Sequence, residues 1–297
     1  MTHDPRPFGR LLTAMVTPFA RDGSLDVDGA QRLAAYLVDE QLNDALVISG
    51  TTGESPTTTD AEKETLLRAV VDAVGDRAKV LAGVGTNNTA HTLELARTAE
   101  KSGAHGVLVV TPYYNKPPQA GIARHFKAVA DGIGLPIMVY DIPHRTGVAI
   151  STETMCAIAE HERVVAVKDA KGDLTASSWV TARTDLAYYS GDDAATLPLL
   201  ACGGVGLVGT STHFTGALAK DMITAYERGD VATALDLHRR ALPLFTGIFR
   251  APGTMLVKAG LRARNLPSGP VRLPLVDAGE AELDLLRQDA AAAGIVL

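Results

Sequence analysis

Lys168 stands directly after the apolar run Val164-Val165-Ala166-Val167. A lysine leaving such a strand end carries its amine into a partly desolvated setting, which lowers its pKa and suits Schiff-base chemistry with a carbonyl substrate. The position equally suits a lysine whose stem packs on the strand while its ammonium snorkels into water, and the residue alone leaves both readings open. Lys171 lies beyond the run, in Asp169-Ala170-Lys171-Gly172-Asp173, with less reason to be buried, so Lys168 is the preferred nucleophile. Tyr140 comes late in another apolar run, Pro136–Pro143. A phenol at that depth needs a partner and is either packing or a proton carrier. Gly50-Thr51-Thr52-Gly53-Glu54-Ser55 joins turn glycines to hydroxyls and backbone N–H groups, either a cradle for a carboxylate or an ordinary polar turn. Thr111-Pro112-Tyr113-Tyr114-Asn115 and Arg145-Thr146-Gly147 complete the set; the Arg145 fork suits a carboxylate, unless it is a solvated loop arginine.

Other chemistries find less support. Gly204-Val205-Gly206-Leu207-Val208-Gly209 fits GxGxxG as a string but lies inside an apolar run with no βαβ unit after it, so no dinucleotide site is expected. The eight histidines show no ligand spacing and no metal is expected; no GxSxG occurs, which leaves a hydrolase triad unsupported. A net charge of −6 offers no footprint for nucleic acid or an anionic membrane, and small molecules are the better partner class. Two distant cysteines, Cys156 and Cys202, fit a reducing cytoplasm, and the segment 1–10 has no apolar core of a signal peptide. Ala194 to Ala219 lacks Asp, Glu, Lys and Arg and is long enough for a bilayer, but Pro198, Gly203, Gly204, Gly206 and Gly209 interrupt it, so it reads as buried strand.

These residues must be held by elements, and eight short apolar runs recur along the chain: Leu11–Phe19, Ala45–Gly50, Val80–Gly85, Gly106–Pro112, Pro136–Pro143, Val164–Ala170, Leu186–Asp193 and Gly204–Thr210. They are continuous rather than alternating, as parallel strands covered on both faces require. Helical segments lie between them. Thr59 and Glu62 have capping-box spacing ahead of Leu66, Leu67, Val70 and Val71, with Gly75 closing; Asn88 or Thr89 caps the next, which ends at Gly103. Eight such units in a chain of 297 residues predict an α/β (β/α)8 TIM barrel over 1–228, with a doubly wound sheet as the alternative. Asp221–Glu227, Asp230–Phe249, Thr254–Arg262 and Ala281–Ala293 read as helix, and 229–297 is expected to form a small C-terminal helical domain. In this barrel the site is built where the strands end. Consecutive strands are neighbours there, so Tyr140 can approach Lys168.

Taken together, GTTGES at Gly50–Ser55, TPYYN at Thr111–Asn115, YDIPHRTG at Tyr140–Gly147, VKDAKGD at Val167–Asp173 and SGDD at Ser190–Asp193 resemble the dihydrodipicolinate synthases, also called 4-hydroxy-tetrahydrodipicolinate synthases, and most of all their actinobacterial members. The resemblance runs nearly the whole chain. It implies a pyruvate-dependent class I aldolase-type lyase of lysine and diaminopimelate biosynthesis that needs no cofactor. It also implies roles: Lys168 for the pyruvate imine, Tyr140 for proton relay with Thr51 and Tyr114, Thr52 in the pyruvate site, and Arg145 for the carboxylate of the second substrate, L-aspartate 4-semialdehyde. Gly191 and Val208 match backbone positions of that pocket. A homotetramer of two tight dimers is implied, with Tyr114 completing the relay of a neighbouring subunit.

N-acetylneuraminate lyase and the keto-deoxy sugar acid aldolases share the lysine and tyrosine; the tandem Thr51-Thr52 and Arg145 favour the small acidic aldehyde. A non-catalytic pyruvate-binding paralogue would need neither nucleophile nor relay. In one respect the chain departs from the family's lysine-inhibited members, which carry two histidines after the GTTGE loop and a glutamate after the third strand. Here Asp60, Lys63 and His91 stand there, while Ser55, Asn87 and Tyr113 remain. Weak or absent inhibition by lysine is expected.

Overall fold

In the computed structural model, which describes residues 6–297, eight parallel strands close into a barrel in chain order. They are β1 (Leu11–Ala14), β2 (Ala45–Ile48), β3 (Lys79–Gly83), β4 (Gly106–Val110), β5 (Ile137–Asp141), β6 (Val164–Asp169), β7 (Ala187–Ser190) and β8 (Gly206–Gly209), with β8 pairing back onto β1. The period of two sorts each strand between two cores. Leu12, Val47, Leu81, Leu108, Met138, Ala166, Tyr189 and Val208 fill the interior. Leu46, Val80, Val107, Val139, Val167 and Tyr188 face outward into a cluster shared with the surrounding helices. Both faces are thus dry, which is why the runs are continuous. Tyr140 follows Met138 by two residues and Lys168 follows Ala166 by two, so both fall on the inward set at its last layer. The strands are shorter than the apolar runs because the end of each run bends into the loop that builds the site.

The helices start where side chains can satisfy their first N–H groups. Asp26 caps α1 (Val27–Asp39); Thr59 and Glu62 form the reciprocal box on α2 (Asp60–Val74); Asn88, not Thr89, caps α3 (Thr89–Lys101). Then follow α4 (Gln119–Asp131), a single turn α5 (Pro143–Thr146), α6 (Thr152–Ala159), α7 (Leu174–Thr181), α8 (Thr196–Ala201) and α9 (Thr212–Glu227).

Two expectations change. The uncharged stretch Ala194–Ala219 is not one strand: it holds α8, the four residues of β8 and the start of α9, which begins nine residues before Asp221. A short apolar run has no periodicity to separate strand from buried helix. The GxGxxG string is explained by packing, since a Cβ on Gly206 would sit 2.1 Å from the carbonyl oxygen of Arg10, just ahead of β1. No helix among the described residues is long and apolar enough to cross a membrane.

Beyond the barrel come α10 (Val231–Gly247), α11 (Gly253–Ala263) and α12 (Glu280–Ala292). Leu244, Ile248, Leu256, Val257, Leu261, Leu286 and Ala290 pack in the same cluster as the outer barrel residues. At the strand ends, α11 and the turn before it close over the loop after β2.

Candidate active site

Two cavities, of about 690 and 390 Å³, open at the C-terminal ends of the strands and share Thr51, Tyr140, Ile142 and Arg145. Lys168, Thr52, Gly191 and Thr210 line the larger; Ser55, Tyr113 and Tyr114 line the smaller. The ends of β2 and of β4 to β8 therefore converge, each placed by the register of its strand. Lys168 lies opposite Tyr140 in the β5–β6 pairing, and its Nζ sits 4.5 Å from the centre of the Tyr140 ring. A snorkelling lysine is ruled out, because Lys168 is only 5% exposed.

Burial decides the electrostatics. Desolvation brings the Lys168 amine from 10.5 down to about 8; the buried Asp193 carboxylate opposes this, and the Arg145 guanidinium adds to it. Burial also raises the Tyr140 phenol well above its ordinary value, against the pull of Arg145 and of its hydrogen bond with Thr51. The site thus holds an amine with a sizeable neutral fraction near neutrality beside a phenol that keeps its proton. Asp193 lies beneath the floor of the cavity. Burial raises its pKa, while it accepts the N–H groups of Thr210 and Ser211 and the Ser211 hydroxyl. It thereby ties the end of β7 to the end of β8.

Lys171 is committed elsewhere: its Nζ lies 3.4 Å from Asp141 Oδ2 and donates to the Ile150 carbonyl. Asp169, next to Lys168, accepts the Lys171 N–H and the Ser177 hydroxyl, so the strand end carrying the nucleophile is pinned outside the cavity. Arg145 is exposed on α5, whose C-terminus Gly147 closes with φ +78. Thr52 turns its hydroxyl toward Thr210, 3.4 Å away.

The remaining candidates divide. Gly191 is on the wall of the larger cavity, and a Cβ there would approach Lys168 Cγ to 3.0 Å, so the absence of a side chain keeps room beside the amine. Val208 is not on either wall; its side chain is fully buried in the barrel interior. Tyr114 borders the smaller cavity but is 88% exposed, with φ +71, so little among the described residues covers it. Asp193 is noticed in sequence only as part of SGDD, and Glu54 only as part of GTTGES; Lys258, which meets Glu54 behind the Thr51 loop, gives no motif, although a lone lysine within the apolar segment Met255–Leu261 is a signal. Among the described residues no group of three or more His, Cys, Asp or Glu is placed to hold a metal.

The chain is similar throughout to known proteins. The profile of the Dihydrodipicolinate synthetase family matches residues 7–293. A 4-hydroxy-tetrahydrodipicolinate synthase of Acidothermus cellulolyticus is 70% identical over 98% of this chain and 94% of its own, and 4-hydroxy-tetrahydrodipicolinate synthase 2 of Streptomyces coelicolor is 60% identical over 98% and 97%. Among solved structures, dihydrodipicolinate synthase from Cyanidioschyzon merolae with lysine bound superposes with a TM-score of 0.95 at 43% identity, covering 97% of this chain and 99% of that one.

Proposed function

The chain belongs to the dihydrodipicolinate synthetase family, and from that membership together with its site we infer that it catalyses the 4-hydroxy-tetrahydrodipicolinate synthase reaction. Pyruvate condenses with L-aspartate 4-semialdehyde, a step of lysine and diaminopimelate biosynthesis. The observation that carries the assignment of roles is the buried Lys168 amine facing Tyr140 across one interstrand spacing.

The neutral Lys168 amine attacks the pyruvate keto carbon, and water leaves as the imine forms. The protonated imine is the electron sink for loss of a methyl proton, which makes the enamine; no added cofactor enters. The enamine carbon attacks the semialdehyde carbonyl carbon. The amino group of the second substrate then adds to the imine carbon, closes the ring and releases Lys168, so one water is formed per turnover. Tyr140 carries protons to and from these centres, with Thr51 as its partner in this chain and Tyr114 completing the relay in a neighbouring subunit. Its proton-retaining phenol supports this role. Thr52 and its loop hold the pyruvate carboxylate, Arg145 at the mouth receives the carboxylate of the aldehyde, and Gly191 shapes that pocket, with Val208 packed in the barrel interior below it.

The exposed Tyr114 at the cavity edge supports an assembly of two tight dimers into a tetramer, and the two free cysteines support a cytoplasmic enzyme. In this reading the chain divides into a catalytic barrel over 1–228 and a helical unit over 229–297. A coupled assay with pyruvate and aspartate semialdehyde, run beside N-acetylneuraminate cleavage, tests the reading. Turnover is expected in the first and not in the second, and the reverse would transfer the chain to the sugar-acid lyases.

A further inference from the structure

Helix α11 grips the loop of the two threonines from behind. Its Thr254 hydroxyl donates to the Thr52 carbonyl at 3.1 Å, and four residues on, Lys258 Nζ lies 2.6 Å from Glu54 Oε1. Residues four apart share one helix face, and here that face engages two loop residues two apart. The pair is dry: the Lys258 and Glu54 side chains are 0% and 1% exposed. Lys258 also donates to the Pro270 carbonyl at 2.8 Å and stands over the Phe19 ring, while the second Glu54 oxygen accepts the Arg272 N–H at 2.8 Å.

An ion pair buried this deeply contributes little net stability, because the desolvation of both charges offsets their attraction. What it does here is geometric. Glu54 is held at φ +56, where a side chain is strained, and its N–H donates back to the Thr51 carbonyl at 3.2 Å. The turn that points the Thr51 hydroxyl at Tyr140 is thus wound on a residue whose carboxylate is clamped.

We infer that Lys258 and Thr254 of α11, acting through Glu54 and Thr52, are positioning residues that set Thr51 against Tyr140. This rests on the role assigned to Thr51 in the proposed function. Neither residue touches the cavity.

The test is a mutant cycle on the full enzyme. Thr254→Val is expected to lower kcat about tenfold, the scale of a small misplacement of a catalytic group, with KM for both substrates within about threefold, and Thr254→Ser is expected to restore kcat. Pyruvate should still be trapped on Lys168 by borohydride to the full extent. In a Thr51→Val background the same Thr254→Val change should cost less than about twofold, because the group it positions is gone. Lys258→Met strands the Glu54 carboxylate and risks unfolding, so the ion pair is tested as Glu54→Gln with Lys258→Met, which should fold and show the same loss of kcat and the same dependence on Thr51. An unchanged kcat in Thr254→Val, or an equal loss in both backgrounds, would overturn the inference. Absence of synthase turnover in the unsubstituted enzyme would remove the underlying reading instead, and it would be seen before any variant is made.

Discussion

The rate at which pyruvate forms an imine should level off at an unusually low pH. Only the neutral amine attacks, and burial places Lys168 at about 8. With that value roughly a tenth of the enzyme carries a neutral amine at pH 7, against about three parts in ten thousand for a lysine left at 10.5, a gain of roughly 300-fold. From pH 7 to 8 the rate should rise about fivefold, and above about pH 9 it should be flat. Arg145 contributes to the low value through its like charge, and Asp193 opposes it. Arg145→Ala removes a repulsion of the ammonium, so the midpoint should move to higher pH. Rapid mixing with subsaturating pyruvate, quenched into borohydride at intervals and read by intact mass, gives the rate at each pH. A rate still climbing tenfold per unit between pH 8.5 and 10 would refute the argument from burial, and a midpoint in Arg145→Ala at lower pH would refute the sign assigned to that charge.

Arg145→Ala should also weaken use of the aldehyde by about 2–4 kcal/mol in kcat/KM, the scale of a lost charge-assisted contact, while imine formation survives; steady-state kinetics varying each substrate checks this, and equal damage to both would make Arg145 structural. Lysine should inhibit weakly or not at all. His91 Nε2 lies 2.8 Å from Asp60 Oδ2, and Lys63 donates to the Thr58 carbonyl at 2.5 Å. The Asp60 carboxylate is already engaged by His91 and has the Lys63 ammonium 3.9 Å away, so half-inhibition is expected only above roughly 1 mM after loss of a contact of about 1–3 kcal/mol; strong inhibition below that in a steady-state assay would defeat the charge argument. Light scattering at assay concentration should give a tetramer, with Tyr114→Phe lowering kcat; a fully active monomer would contradict the cross-subunit relay.

The barrel was legible because each strand is buried on both faces and so reads as an unbroken apolar run, and because Thr59, Glu62 and Asn88 mark helix starts by side-chain chemistry alone. The same logic failed at Ala194–Ala219, where the short α8, the four residues of β8 and the uncharged first turns of α9 follow one another without a change of composition. Lys168 and Tyr140 were legible as strand-end residues, although their burial was not: a snorkelling and a desolvated lysine have the same sequence context until the neighbouring strands are in place. The clamp of Glu54 by Lys258 joins segments about 200 residues apart, and no local pattern announces such a contact. Nor does the motif SGDD reveal that Asp193 is wholly buried on the N–H groups of Thr210 and Ser211.

The central claim is that Lys168 forms the covalent intermediate. Incubating the enzyme with pyruvate, reducing with borohydride and mapping the modified peptide by mass spectrometry tests it directly. A single reduced pyruvate adduct on Lys168, absent from a folded Lys168→Ala variant, is the expected result. An adduct on Lys171 or on any other lysine, or none at all, would contradict it.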